Sequence, residues 1–434
     1  MKKALVVLFV TVVLIGLYMF AGGSAPATSV HYHLDIREGD APWMEVNMTV
    51  YPGRGGFLDL FMRDTVLLGD ARVRGFAVLK GGRERPSWNL IPGQSDIRRL
   101  WVGFSSQPLE ISYLVNPLWL RGSSPRSYLG PEFGYLRGMN TFFAPFTWSD
   151  IREMLRNNDN LGPHAGTATL TATLPAGWSM SSPWSDGDDI EVPALRNTYL
   201  GVGPFSHADV DSLRIAVYED GELPTDALLE LLPEVYKHLV ELFGAEPVGS
   251  SPIWTVTVLP DDPLRGGAAG VNSLIGTQEP SLLAHEMIHW WLGRSIQFSP
   301  DAHWIEEGFT TYYEGRVLRD VGVWTEEQFQ SHLNRQLQRL PREPVDLLQA
   351  SVRLLRDYTP RDYGVVYGGG ALVANFIDKE LTAQGASLDD VWSYLPRDET
   401  VTPEMFLEAL SDMGYADLAD QSRAFANGHE PIPH

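Results

Sequence analysis

The sequence of 434 residues contains no cysteine. Disulfides, thiolate zinc sites, cysteine nucleophiles and lipid-modified cysteines are therefore excluded. Any bound metal must be held by histidine, aspartate and glutamate side chains. Cations are scarce as well, because 33 Lys and Arg residues, five of them lysines, stand against 55 Asp and Glu residues and give a formal charge of −22. We expect no binding to nucleic acid, because that function requires a clustered basic surface.

Long apolar runs are also missing, except at the N-terminus. After Lys2 and Lys3, an uncharged apolar segment covers residues 4–20, and residues 25–27 read A-P-A, which resembles a signal cleavage site. The segment 1–27 is therefore predicted to be a signal peptide or an N-terminal membrane anchor. Both alternatives export the rest of the chain to a periplasmic or extracellular location. Contact with a membrane is expected only through this segment.

The remaining chain is long enough for two domains, and its hydrophobic content of 44% is typical of globular proteins. Residues 28–207 contain short runs that alternate apolar and polar side chains, such as WMEVNMTVY and GTATLTATLP. Gly, Pro, Asn and Asp cluster between these runs. This pattern predicts an antiparallel β-sandwich.

The pattern changes near residue 208, and the segment 208–434 is predicted to be a second, mainly helical domain. Two strands, LRIAVYED and IWTVTVLP, flank one helix that should end at Gly244. Helices are then expected at about 281–294, 305–320, 324–340, 367–382, 388–394, 402–412 and 415–426. The predicted fold class is therefore multidomain α+β.

The segment SLLAHEMIHWWLG raises the question of a metal site. His285 and His289 are four residues apart, so they lie on one face of a helix and could both bind a zinc ion. Glu286 would lie beside such a metal, where it could take a proton from an attacking water. The alternative is an amphipathic helix with two partly buried histidines packed beside Leu283 and Trp290.

A catalytic zinc site needs a third protein ligand and an open fourth position. Glu307 stands eighteen residues after His289 in the segment HWIEEGFTTYYEGRVL, and Gly308 gives it a small neighbour. Glu314 falls on the same helical face as Glu307 and could accept a hydrogen bond from a ligand histidine. Glu306 is the rival third ligand, but it points about 100° away around the helix. The alternative for all three glutamates is a solvated acidic patch.

Together, HEMIHWWLG and WIEEGFTTYYE resemble the gluzincin metallopeptidases, in particular the aminopeptidase N and glycyl aminopeptidase families. The resemblance implies a thermolysin-like, mainly helical zinc peptidase domain after the β-sandwich. It also implies that His285, His289 and Glu307 hold one zinc ion and that Glu286 is the general base. The spacing to Glu307 is one residue shorter than is usual in aminopeptidase N.

These families also carry a tyrosine in a Y-x-x-G helix, whose phenol donates a hydrogen bond to the developing oxyanion. The segment DYGVVYGGGALVANF supplies Tyr367, with Gly370 in the expected place, and Tyr363 is the second candidate. The alternative is a core tyrosine beside a flexible glycine turn.

The families further carry a strand that pairs with the substrate backbone. The segment RGGAAGVNSLIG is similar to the glycyl aminopeptidase form, with its two glycines and its N-S pair. The substrate-binding residues are expected to be Gly266, Gly267, Ala268 and Ala269. One residue departs from the family pattern, because Ala269 stands where the families have the glutamate that binds the free α-amine of the substrate. Asp261 or Asp262 could replace that glutamate.

The sequence therefore predicts an exported, zinc-dependent metallopeptidase that acts on peptides or proteins in an aminopeptidase-like manner. Because of Ala269, an endopeptidase or a peptidase acting on blocked N-termini is an alternative. A hydrolase acting on another bond and a non-catalytic peptide-binding module of the same fold are further alternatives. The intact Glu286 argues against the binding module, and the sequence does not indicate an oligomeric state.

Overall fold

The structure is a computed structural model that describes residues 27–37, 43–52, 56–63, 73–85, 95–103, 107–116, 119–121, 124–146, 166–219 and 224–432. The chain divides into two compact units, Met1–Phe205 and Ser206–His434. The predicted signal or anchor segment lies outside the described residues, apart from Ala27. Within the described ranges, no helix is long and apolar enough to cross a bilayer.

The first unit consists mainly of strands that form three sheets among the described residues. The strands are β1 (Ala27–Asp35), β2 (Met44–Pro52), β3 (Gly56–Arg63), β4 (Val73–Lys80), β5 (Arg83–Arg85), β6 (Ser95–Gly103), β7 (Leu109–Val115), β8 (Trp119–Arg121), β9 (Ser124–Leu129), β10 (Gly134–Arg137), β11 (Ala144–Phe146), β12 (Thr167–Thr173), β13 (Ser179–Ser181), β14 (Ile190–Glu191) and β15 (Tyr199–Gly203). The sheet orders are β14-β12-β1-β2-β7-β4, β13-β15-β10-β9-β8 and β11-β3-β6-β5. Two short helices accompany them, α1 (Gly138–Thr141) and α2 (Val192–Asn197).

One strand pair differs from the predicted antiparallel arrangement. β1 pairs antiparallel with β2 but parallel with β12. A parallel partner requires a long connection, and here it lies far along the chain, so local alternation could not predict its direction. The outward side chains of the parallel pair meet, since His31 Nδ1 lies 2.6 Å from Thr169 Oγ1 and His33 Nδ1 lies 2.9 Å from Thr171 Oγ1. These contacts give a structural role to Thr169 and Thr171, two of the polar residues that alternate with apolar ones in TATLTAT.

The second unit begins with a five-stranded mixed sheet. Its strands are β16 (Phe205–Val210), β17 (Leu213–Tyr218), β18 (Trp254–Val258), β19 (Gly267–Gly270) and β20 (Ser273–Gly276), in the order β16-β17-β18-β20-β19. β17, β18 and β20 are parallel to one another, and β19 pairs antiparallel with β20 at the edge. β19 is therefore an edge strand, which pairs on one side only among the described residues. A short parallel pair, β21 (Gln297–Phe298) and β22 (Thr400–Val401), lies elsewhere in this unit.

Helices form the rest of the second unit. They are α3 (Thr225–Phe243), α4 (Asp261–Leu264), α5 (Pro280–Ile288), α6 (His303–Asp320), α7 (Glu326–Gln338), α8 (Leu347–Arg356), α9 (Pro360–Tyr363), α10 (Gly370–Ala383), α11 (Leu388–Val391), α12 (Pro403–Asp412) and α13 (Ala416–Ala426). A 3₁₀ turn, Pro300–Ala302, precedes α6, and a π-helical segment, Gly364–Gly369, joins α9 to α10. Their buried faces form one hydrophobic core with the sheet.

Several predicted helix boundaries are wrong. The predicted helix 281–294 ends at Ile288; turns follow up to Leu292, and the chain reverses at Gly293, which has a φ of +113°. The predicted helix 367–382 begins as the π-helical segment 364–369 and becomes α-helical at Gly370. The predicted helix 388–394 ends at Val391. Helices α8 and α9 were not predicted.

Candidate active site

Three side chains from two helices converge on one point. His285 and the following His289 come from α5 and its C-terminal cap, and Glu307 comes from α6. Glu307 Oε2 lies 3.5 Å from His285 Nε2 and 3.3 Å from His289 Nε2, and the two Nε2 atoms are 3.3 Å apart. Ligand atoms bound at 2.0–2.1 Å to a tetrahedral zinc are about 3.3 Å apart. The three donor atoms, one each from His285, His289 and Glu307, form what we call the donor triangle. Its edges match the spacing that a zinc ion requires.

The other nitrogen of each imidazole has its own acceptor. His285 Nδ1 lies 2.7 Å from Glu314 Oε2, and His289 Nδ1 lies 3.0 Å from the backbone carbonyl of Leu292. The turn at Gly293, which ends the helix early, brings this carbonyl back toward His289. When Nδ1 donates to such an acceptor, Nε2 carries the lone pair that a metal needs.

The electrostatics of the three donors favour a cation between them. Burial opposes a charge on His285, but the carboxylates of Glu307 and Glu314 outweigh it and raise the pKa of His285 well above its usual value. Burial would also raise the pKa of Glu307, but the neighbouring histidines hold that pKa well below its usual value. Glu307 Oε2 is buried and accepts no hydrogen bond within the described residues. An orphaned, ionised oxygen facing two imidazole nitrogens is the donor set of a divalent metal.

Glu286 lies beside this triangle and contacts the edge strand β19. Burial raises the pKa of Glu286, against the effect of the two histidines, and the backbone N–H of Ala269 donates to its carboxylate. A Cβ atom on Gly267 would lie 2.7 Å from Glu286 Cγ. The strand can approach the carboxylate this closely only because residue 267 has no side chain. A buried carboxylate with a raised pKa is suited to accept and return a proton.

Tyr367 faces the donor triangle from the π-helical segment. Its ring is nearly parallel to that of His285 at 6.1 Å between centroids, and Tyr363 stacks on its other side at 4.1 Å. Burial, together with the carboxylate of Glu307, raises the pKa of Tyr367 well above its usual value. The phenol therefore remains protonated and can donate a hydrogen bond at neutral pH.

A close helix crossing connects Tyr367 to the helix of Glu307. A Cβ atom on Gly308 would lie 2.4 Å from Gly370 Cα, and one on Gly370 would lie 2.2 Å from the carbonyl oxygen of Trp304. Both glycines are therefore required for the contact between α6 and α10. Gly308 was expected to be a small neighbour of Glu307, and the structure gives it this packing role in addition. The crossing fixes the position of Tyr367 relative to Glu307.

Two cavities lie beside Glu286 and share the lining residues Gly267, His285, Glu286 and Tyr367. Together they are called the cleft. The smaller one, of about 300 Å³, is lined by Gly267, Ala268, Ala269, His285, Glu286, His289, Gly293, Arg294, Glu306, Glu307 and Tyr367. The larger one, of about 480 Å³, is lined by Gly267, Glu279, Ser281, Leu282, His285, Glu286, Thr311, Glu314, Trp324, His332, Arg335, Gln336, Arg339, Tyr363 and Tyr367. Glu286 and Tyr367 line both, so the cleft passes the donor triangle on two sides.

The structure does not bring every predicted residue to the cleft. Gly266 adopts a φ of +146° and lines neither cavity, and the exposed Asp261 and Asp262 also lie outside both. Glu306 is not part of the donor triangle, but it lines the same cavity as Ala269.

Three cationic side chains that line the cleft were not predicted from the sequence. Arg294 Nη2 donates to the carbonyl of Ala269 over 3.2 Å and lines the smaller cavity. Arg335 and Arg339 line the larger cavity. The spacing of the last two, four residues apart in a predicted helix, was the only available signal, and it is a common one.

Known proteins share both the local sequence and the fold. The family model of the M61 glycyl aminopeptidases matches residues 278–359. This range includes the donor triangle and Glu286 but not Tyr367. No curated protein has a matching sequence. An aminopeptidase N family protein from Idiomarina loihiensis has a similar structure, with a TM-score of 0.64 and 15% identity over 93% of this chain and 74% of that one.

A second similar structure is that of the M1 zinc metallopeptidase from Deinococcus radiodurans. It has a TM-score of 0.56 and 16% identity over 95% of this chain and 96% of that one. A mutant of that peptidase has been crystallised with a Tyr-Ser-Ala substrate. In sequence around its ligand helices and in its multidomain α+β fold, the chain thus resembles gluzincin metallopeptidases of the glycyl aminopeptidase and aminopeptidase N families.

Proposed function

We propose that this protein is a zinc-dependent metallopeptidase with a β-sandwich followed by a thermolysin-like catalytic domain. His285, His289 and Glu307 would hold one zinc ion. The observation that supports this most strongly is the donor triangle, whose 3.3–3.5 Å edges fit a tetrahedral zinc. With three protein ligands, one position remains for water or substrate, as a catalytic site requires.

Zinc in this position would polarise the scissile carbonyl and make an attacking water more acidic. Glu286 would accept the proton of that water and return it to the leaving amine. Its burial and its hydrogen bond from the Ala269 N–H hold the carboxylate in one orientation. Tyr367 would donate a hydrogen bond to the developing oxyanion. Tyr363 is less suited to this role, because it lines only the larger cavity and packs behind Tyr367.

We further propose that the mode of action is aminopeptidase-like. Ala269 cannot neutralise the α-amine of a substrate, but the carboxylate of Glu306 lines the same cavity. Glu306 is partly exposed and accepts a hydrogen bond from His303 Nδ1 over 3.0 Å, which fixes its position. It would supply the counter-charge that a buried amine needs.

Two alternatives rest on specific observations. Arg294 places a cation beside the carbonyl of Ala269, and this cation would repel a free amine. That contact favours an endopeptidase or a peptidase acting on blocked N-termini. A non-catalytic peptide-binding module would retain the cleft, but it would have no need of Glu286 and Tyr367. Peptides or proteins are the expected partners in each case, and we propose that the N-terminal segment exports the protein.

The first experiment combines metal analysis with peptide cleavage. The purified full chain should contain about one zinc per molecule, and Glu307→Gln should lose it. The zinc-loaded protein would then be tested on one peptide set with free and with acetylated N-termini, with Glu286→Gln as the inactive control. Preference for free amines supports the aminopeptidase mode, and equal or better cleavage of acetylated peptides supports the endopeptidase mode. A metal-free protein with intact ligands would refute the proposal.

A further inference from the structure

The larger cavity carries two arginines on the same face of one helix. Arg335 lies in α7 and Arg339 caps its C-terminal end, so their side chains are neighbours on the helix surface. Both are exposed, and both line the 480 Å³ cavity with Glu286 and Tyr367. Two cations therefore line the larger cavity, which Ala269 does not line.

Neither arginine pairs with a carboxylate within the described residues. Arg339 Nη1 donates to the neutral Gln336 Oε1 over 2.9 Å, and no hydrogen bond or ion pair of Arg335 is found in this part of the chain. Several other arginines of the chain do pair with carboxylates, namely Arg37, Arg98, Arg99, Arg214, Arg316, Arg319, Arg353, Arg356 and Arg423.

The acidic side chains of the same cavity do not neutralise the pair. Glu314 accepts from His285, Glu279 accepts from Ser281 over 2.9 Å, and Glu286 lies beside the donor triangle. The guanidinium groups thus retain their charge and their donors for a ligand. Guanidinium donors form a planar fork that matches a carboxylate.

The two arginines are also held at a fixed distance from Tyr367. A Cβ atom on Gly368 would lie 2.9 Å from the carbonyl oxygen of Gln336, and one on Gly364 would lie 3.1 Å from that of Arg339. The last turn of α7 therefore packs directly against the π-helical segment. The backbone that carries the two arginines is therefore fixed relative to Tyr367.

The cleft has a direction. In the proposed aminopeptidase mode, the α-amine of a substrate lies near Glu306 in the smaller cavity, so the part of the peptide beyond the scissile bond would enter the larger cavity. We propose that Arg335 and Arg339 bind a carboxylate of the substrate on the C-terminal side of the scissile bond, so that the preferred substrates are short peptides with a free C-terminus or peptides with an acidic side chain there. This inference rests on the proposed peptidase function.

The test uses binding as well as cleavage. Peptides of three to five residues would be prepared with a free C-terminal carboxylate, as C-terminal amides, and as amides that carry Glu or Gln after the scissile bond. The zinc-loaded full chain with Glu286→Gln measures binding without turnover. Arg335→Gln/Arg339→Gln is compared with Arg342→Gln/Arg397→Gln, which changes the net charge equally at exposed arginines that line neither cavity.

We expect free-carboxylate peptides to bind about tenfold more tightly than their amides. The cleft variant should lose this difference and show a higher KM with an unchanged kcat, whereas the control variant should retain it. If only the Glu-containing amides show the difference, the carboxylate is a side chain. Equal affinities for acid and amide in all peptides would refute the inference. If carboxylate-dependent binding persists but the protein with Glu286 cleaves nothing, the proposed peptidase function fails, and the result supports only the binding of a peptide carboxylate by Arg335 and Arg339.

Discussion

The contact between Glu314 and His285 allows a quantitative test of the metal site. Glu314 Oε2 lies 2.7 Å from His285 Nδ1, and the Glu314 side chain is 14% exposed. Its other oxygen lies 3.7 Å from His332 Nδ1. In Glu314→Gln the side chain keeps its shape and one acceptor oxygen but loses its charge. The change therefore weakens the orientation of His285 without removing any of the three donor atoms.

The expected loss of zinc affinity is about tenfold. Hydrogen bonds to charged groups contribute about 1.5–3 kcal/mol, and neutral ones about 0.5–1.5 kcal/mol. The difference of about 1.4 kcal/mol corresponds to about a tenfold change in the dissociation constant. Glu314→Ala also removes the acceptor, so it should approach the upper end of the range of about 10–100-fold that is typical of outer-shell partners.

The assay is a competition titration of the metal-free protein against a chromophoric zinc chelator at neutral pH. Glu327→Gln is the control, because Glu327 is exposed, lies on the neighbouring helix α7 and undergoes the same change of charge. Its zinc affinity should equal that of the parent protein. If Glu314→Gln binds zinc as tightly as Glu327→Gln does, the carboxylate does not orient a ligand, and the reasoning is refuted.

Three further predictions concern the cleft and its support. Tyr367→Phe should retain zinc and lower kcat about 10²–10³-fold; its pH–rate profile should keep the parent's shape up to about pH 10, because the pKa of Tyr367 lies well above its usual value. Gly308→Ala should lower the free energy of unfolding by about 1–3 kcal/mol, because the added methyl group overpacks against Gly370. An unchanged denaturant midpoint would contradict the close packing of α6 against α10 at these two glycines. Glu306→Gln should raise KM for free-amine peptides about tenfold, as expected for loss of a charge-assisted contact, and leave acetylated peptides unaffected. Equal KM changes for both peptide sets would exclude Glu306 as the amine partner.

Local spacing predicted that His285 and His289 lie on one helix face, and the family resemblance implied Glu307 as the third ligand. Two histidines four residues apart must share a helix face, and this relation depends on no distant part of the chain. Glu307 and Glu314 belong to one helix, so their common face also followed from the sequence. The structure brings these four side chains together with contacts of 2.7–3.5 Å.

Other features depend on tertiary contacts that periodicity does not encode. The carbonyl of Leu292 accepts a hydrogen bond from His289 where the chain turns at Gly293, which has a left-handed conformation. A glycine near the end of a helix does not by itself predict such a contact. The π-helical segment at 364–369 packs closely against the end of α7, since a Cβ atom at Gly368 would lie 2.9 Å from the carbonyl oxygen of Gln336. The parallel pairing of β1 with β12 joins segments far apart in the chain.

The two ends of the cleft differ in how a substrate could be held. In the smaller cavity, Ala269 supplies no counter-charge, and both Glu306 and Arg294 line the wall, so the net attraction for an amine is reduced. At the other end, Arg335 and Arg339 are not neutralised. Contacts with a part of the substrate far from the scissile bond can hold that bond in position for attack. The substrate is then already ordered when the reaction begins. A peptidase with a weakened amine contact can therefore still position a short peptide through its carboxylate, so an alanine at position 269 is compatible with the proposed peptidase function.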